Sequence, residues 1–162
     1  GVRLVGSEMC IRDRQRRAAR DSAIAASCDS VTVSSRGHRF EEGLRFPIII
    51  DDYVESRTDS DEKYEIENLP YQNSTRKFVA MMEGLGLSAD LDRSRKGRTI
   101  RAGKGKMRGR KYRTPKSLLL VVAQKDGLDR AARNLPGVDV VTAKDLCAED
   151  LAPGGDLGRL TV

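Results

Sequence analysis

The sequence has no tryptophan, one histidine, three cysteines and only 4% aromatic residues, and each shortage excludes something. With so few aromatics, the core of this 162-residue chain has to be mostly aliphatic, although the length suits one domain with one substantial core. Cys10, Cys28 and Cys147 lie far apart, form no CxxC or Cys/His pair, and have only His38 as a histidine neighbour in the whole chain. Zinc sites need ligands at short paired spacings, so no metal is expected. Scattered, odd-numbered cysteines fit a reducing cytosol better than a disulfide framework. A cysteine nucleophile needs a base beside it, and a single histidine leaves little room for one. No apolar run approaches the roughly 20 residues that a bilayer requires, so the chain reads as soluble, with no membrane partner.

What the chain does have is charge, unevenly placed. From Arg93 to Lys116 there are twelve Lys or Arg and no Asp or Glu. The other 138 residues carry 18 basic and 24 acidic side chains, a balance of −6 against +6 for the whole. A long run of like charge repels itself and usually meets a polyanion; the plainer alternative is a solvated basic face. Gly97, Gly103, Gly105 and Gly109 let the backbone of this segment approach a phosphate surface closely. Tyr112 is its one aromatic residue, able with the arginines to stack on bases or ribose, or else to pin the loop to the domain.

The opening "GVRLVGSEMCIRDR" is too short and broken for a signal peptide and resembles a sequencing adapter translated in frame. Residues 1–13 are therefore expected to be a non-native leader, and residues 14–162 a partial domain containing the basic loop 93–116. "QRRAARDSAIAASC" predicts a helix, "VTVSS" a short strand, and "RGHRF" a turn in which His38 is an exposed or RNA-facing loop residue. "FPIIIDDY" predicts a buried strand with acids at its exit, followed by an acidic loop or short helix. In "STRKFVAMMEGLGLSADL", Ser74 or Thr75 caps a helix with Phe78, Val79, Met82 and Leu85 on one face, Met81 and Met82 are core filler, and Gly84 and Gly86 stop it. "SLLLVVA" is the strongest strand, then come a helix, a turn at "NLPG", the strand "VDVVTA", and a short helix holding Cys147 as a small buried residue. "GRLTV" begins a further strand. Strands near 47–50, 117–123 and 138–142, each followed by a helical pattern, predict an α/β fold with a mostly parallel sheet.

Sharper enzyme readings fail. "IIIDD" resembles a Walker B run, yet no GxxxxGK[ST] loop accompanies it. Gly103, Gly105 and Gly109 are spaced GxGxxxG and precede a strand rather than follow one, which is not a dinucleotide fingerprint. Asp51 and Asp52 read as capping or solvated acids, pointing different ways from a strand end. There is no GxSxG or Ser/His/Asp arrangement. No catalytic residue, cofactor or small-molecule substrate is expected.

"IRAGKGKMRGRKYRTPKSLLLVV", "AARNLPGVDVVTAKDL" and "EDLAPGGDLGRLTV", with "RQRRAARDSAIAAS" and "SRGHRF" ahead of "FPIIIDD", resemble the archaeal and eukaryotic form of the large-subunit ribosomal protein L four family. The resemblance runs in one register from about Arg14 to Val162. It implies a cytoplasmic ribosomal protein that binds large-subunit ribosomal RNA early in assembly beside neighbouring ribosomal proteins. Family members also carry a long loop that lines the peptide exit tunnel. That loop, the first strand and the terminal helix lie outside this sequence, so no tunnel-lining residue is assigned and the domain is expected to be incomplete and marginal alone. The expected architecture is a three-layer α/β domain, its mostly parallel central sheet flanked by helices, with a basic extended RNA-binding loop.

RNA binding is carried over onto "RAGKGKMRGRKYR". Phosphate contacts are expected from Arg98, Arg101, Lys104, Lys106 and Arg108, and from Arg110, Lys111, Arg113 and Lys116. Gly103, Gly105 and Gly109 would supply close approach and unusual φ angles, Tyr112 a stacking or hydrogen-bonding group, and Pro115 a rigid start before the strand. Recognition should follow RNA shape, since no RRM or KH signature is present. A non-ribosomal nucleic-acid-binding regulator is the other reading that shares this charge.

Overall fold

The computed structural model describes residues 2–41, 43–50, 75–123 and 128–162. Asp51, Asp52, the acidic stretch and the Ser74 cap lie outside the described residues. Six helices and four short strands are described: α1 (Val2–Ser27), α2 (Ser30–Ser35), α3 (Thr75–Gly84), α4 (Ser88–Lys96), β1 (Thr99–Ile100), β2 (Tyr112–Arg113), β3 (Leu119–Val122), α5 (Leu128–Arg133), β4 (Asp139–Thr142) and α6 (Ala148–Leu151). The fold is mixed α/β.

The aliphatic run predicted as the strongest strand is β3, and it pairs in parallel with β4 from Leu119–Asp139 to Val122–Thr142. On its other side, residues 160–162 run alongside β3, with a parallel bridge between Leu119 and Thr161. The Leu119 N–H donates to Leu160 O at 2.8 Å and the Val162 N–H to Leu119 O at 2.9 Å.

Side chains alternate across a strand, and β3 buries both faces. Leu118 and Leu120 pack with Phe78 and Met82 of α3, Leu87, Ala131 and Ala132 of α5, Val138 and Leu160. Leu119, on the opposite face, packs with Ala23 of α1 and Leu151 of α6. Truncating such a fully buried leucine to alanine costs about 2–5 kcal/mol. Met82 is fully buried and Met81 packs against the same core, the filler role expected of them.

Four expectations need correction. "VTVSS" is helical: Asp29 accepts hydrogen bonds from the Val31 and Thr32 N–H groups at 3.1 Å, and this cap outweighs the β preference of Val and Thr. Residues 47–50 form no strand; the Ile48 N–H donates to Thr161 O at 3.2 Å, but Ile49 is 87% exposed and Pro47 has no N–H to give. His38 is buried rather than exposed, because it packs against a buried acid, Asp90. Cys147 is exposed, because it sits before α6 as its cap instead of inside it, with its thiol 3.0 Å from the Asp150 carboxylate.

Candidate nucleic-acid interface

The basic segment is not an extended loop. Thr99, Ile100 and Tyr112 are good strand formers, and β1 pairs antiparallel with β2 through Thr99–Arg113 and Ile100–Tyr112. The Arg101 N–H continues the ladder to Lys111 O at 3.0 Å. The tip closes on a short 3-10 turn, Lys104–Met107, and Gly105 O accepts from the N–H groups of both Arg108 and Arg110 at 3.1 Å. Gly109 needs its glycine, with φ at +78°. Gly103 does not use that freedom, having φ −81°, and open space surrounds the position its Cβ would take. Gly105 likewise lies outside the positive-φ set. A hairpin following the end of α4 therefore takes the place of the expected extended loop.

Its base is built like a joint. Asp90, fully buried, accepts from Arg93 Nε at 2.8 Å, Ser117 Oγ at 2.6 Å and the Arg39 N–H at 3.1 Å, with His38 Nδ1 also at 3.1 Å. Burial alone would raise the Asp90 pKa, but the hydrogen bonds from His38, Arg93 and Ser117 outweigh it and hold the carboxyl well below the ordinary range. Arg93 also donates to Lys116 O at 2.7 Å. Ser94 Oγ donates to Pro115 O at 3.1 Å and reaches Pro136 O. Both legs of the hairpin, one leaving α4 and one entering β3, are thus tied to one buried acid and one buried hydroxyl.

The cations sort into two groups. Arg93 faces inward. Lys116, expected to meet phosphate, donates to the Asp139 carboxylate at 2.6 Å, and that carboxylate also receives the buried Arg159 at 2.5 Å. Arg159 further donates to Ser117 O at 3.1 Å and Asp150 O at 2.8 Å. Burial works to raise the Asp139 pKa, and its two cations lower it by more. Arg98, Arg101, Lys104, Lys106, Arg108, Arg110, Lys111 and Arg113 are exposed, and none of these eight forms an ion pair among the described residues. The Arg101 Nε–H donates to Tyr112 O at 3.2 Å, which steadies its stem without neutralising it. Asp90, Arg159 and the inward turn of Arg93 were missed in the sequence. An Asp three residues before an Arg on a helix was the only local signal for the first pair, and Arg159 had none.

Among the described residues no group of three His, Cys, Asp or Glu could hold a metal ion, and no helix is long and apolar enough to cross a membrane.

The family model described as "Ribosomal protein L4/L1 family" matches residues 8–160. The chain is 44% identical over 152 residues to "Large ribosomal subunit protein uL4" of Halobacterium salinarum, covering 94% of this chain and 55% of that protein. To the protein of the same name in Thermoplasma acidophilum it is 44% identical over 152 residues, covering 94% and 53%. For Methanocaldococcus jannaschii the figures are 46% over 153 residues, 94% and 54%. The chain spans about half the length of the curated relatives it matches. A family match across nearly all of the sequence, and relatives 44–46% identical over 94% of it, lead to one conclusion: this chain belongs to the ribosomal protein L4/L1 family, in its archaeal-type form.

Proposed function

We propose that this chain is part of a structural constituent of the large ribosomal subunit, and that it binds large-subunit ribosomal RNA through the 98–113 hairpin during assembly. The observation that carries the reading is the separation of charge. Eight exposed cations with no acidic partner among the described residues stand on the hairpin, while the Asp and Glu of the described residues lie outside it. Such a surface binds phosphate by counterion release, and a pre-shaped hairpin loses less conformational freedom on binding than a flexible loop would. Arginine forks bridge paired phosphate oxygens, and lysines act as point charges. Gly103 and Gly105, whose Cβ positions face open space or only the Arg101 stem, leave room for a phosphate backbone to come close.

The finer architecture is part of the same proposal. A three-layer α/β domain with a mostly parallel central sheet is supported by the parallel pairing of β3 with β4 and by apolar clusters on both faces of β3. Neighbouring ribosomal proteins are the natural partners for its remaining surfaces.

Competition between large-subunit ribosomal RNA and an equal mass of duplex DNA tests the function. Preference for the ribosomal RNA supports it. Equal binding reduces the hairpin to a general polyanion patch and favours a non-ribosomal nucleic-acid-binding role.

A further inference from the structure

The two faces of the hairpin carry different chemistry. Residues opposite each other in an antiparallel pair share a face, as do positions two apart along a strand. Thr99 opposite Arg113, with Arg101 beside them, forms one face. A shallow, mostly apolar groove bordered by Thr99, Arg101 and Arg113 lies by this face, and Ile100 and Ala102 line it too. Ile100 opposite Tyr112, with Arg98 beside them, forms the other face. Ile100 is 59% exposed and Tyr112 is 44% exposed. The Arg98 guanidinium carbon stands 4.2 Å from the Tyr112 ring centroid, a stacked cation–π contact, and Lys111 Nζ is 5.6 Å from it. Arg98 is itself exposed, so the pair is a two-layer platform in contact with solvent.

An occupant of this face must be flat and apolar over the ring and guanidinium, and anionic at its rim, because twelve cations and no acid surround it in sequence. We propose that the Arg98–Tyr112–Ile100 face receives an unpaired nucleobase of RNA, which stacks on the Arg98–Tyr112 pair while a flanking phosphate meets Lys111, whose Nζ reaches the same ring. This deepens the RNA-binding reading and rests on it. A base inside a continuous duplex has both faces covered by its neighbours, so the ligand class is a loop, bulge or splayed end. Stacking selects an exposed base with little preference among the four, since each has a π face.

The test uses the 162-residue chain with two RNAs. One is a stem–loop with unpaired loop adenines, one of them replaced by fluorescent 2-aminopurine; the other is the same stem as uninterrupted duplex. The variants are Tyr112→Leu, which removes the ring, Arg98→Lys, which keeps the charge but not the plane, and Tyr112→Phe, which keeps the ring. Tyr112→Leu and Arg98→Lys should each lose about tenfold in affinity for the stem–loop, within the range for one base on one aromatic group. Both should keep their duplex affinity and salt dependence, while Tyr112→Phe behaves like the parent and changes the aminopurine emission as the parent does. Unchanged stem–loop affinity in both variants, or an equal loss on both RNAs, overturns the stacking site. Parent binding that ignores salt overturns the RNA reading beneath it, so the two failures are distinguishable.

Discussion

Arg93 and the fully buried Asp90 form an ion pair at 2.8 Å, so the first cation of the basic run turns toward the protein and holds the hairpin from below. The same carboxylate receives Ser117 Oγ at the start of the segment that becomes β3. Removing Asp90 takes away the carboxylate that the buried His38 and Ser117 and the largely buried Arg93 share, at a cost of about 3–5 kcal/mol. Asp90→Ala should lower stability by that amount in urea unfolding, whereas Arg95→Ala, two positions along and exposed, should change it by about 0.5 kcal/mol or less. Similar losses for the two variants would show that the joint does not bear on stability.

The same acid predicts a response to pH. Asp90 and Asp139 both have pKa values lowered from the ordinary 3.8. Each stays ionised in the fold at a pH where the unfolded chain already binds a proton. Their contribution is therefore complete above the ordinary carboxylate range and is lost as pH falls below it. Urea midpoints should hold from pH 7 to about pH 4 as far as these two groups are concerned and fall between about pH 4 and pH 2 for the parent. Asp90→Asn should start lower and fall less, and parallel curves would contradict the assignment.

Glycines at the joint and in the hairpin should behave in opposite ways. Gly137 has φ +83°, and a Cβ there would meet Pro115 O and Ser94 Oγ. The left-handed conformation alone costs a non-glycine residue about 1–2 kcal/mol, so Gly137→Ala should destabilise by more than about 2 kcal/mol. Gly103→Ala, with ordinary φ and open space, should leave stability unchanged and weaken RNA binding only if backbone and phosphate come close there. Thermal melts with and without RNA separate the two effects.

Lys116 distinguishes counting cations from locating them. Held 2.6 Å from Asp139, it is already paired. Lys116→Ala should change the salt dependence of RNA binding by much less than Arg108→Ala, although both remove one positive charge. Equal changes would return Lys116 to the phosphate-binding set.

The sequence was most readable where one local rule governed an element. β3 follows from an unbroken Leu and Val run, β4 from the β-branched "VDVVT", and α3 from the spacing of Phe78 and Met82, both buried. Reading failed where a partner distant in sequence decided. His38 is buried by Asp90, 52 residues away, and no local pattern announces it. "VTVSS" has the composition of a strand, yet Asp29 just ahead of it caps a helix and prevails over that β preference. The hairpin was hidden because its strands are two residues each, set among cations whose repulsion suggested an open loop. Charge excess, by contrast, was fully legible, because it needs no geometry. What the structure adds is the division of those cations into those that hold the hairpin and those that face outward.

The most direct test of the central claim is a salt titration of binding to large-subunit ribosomal RNA by the parent chain and by the Arg108→Ala, Arg110→Ala, Lys111→Ala triple variant. With about eight phosphates neutralised, log affinity should fall against log salt with a slope of roughly −6, and the triple variant should flatten it by about 2. A parent slope near zero, or the same slope in the variant, would contradict RNA binding through this hairpin.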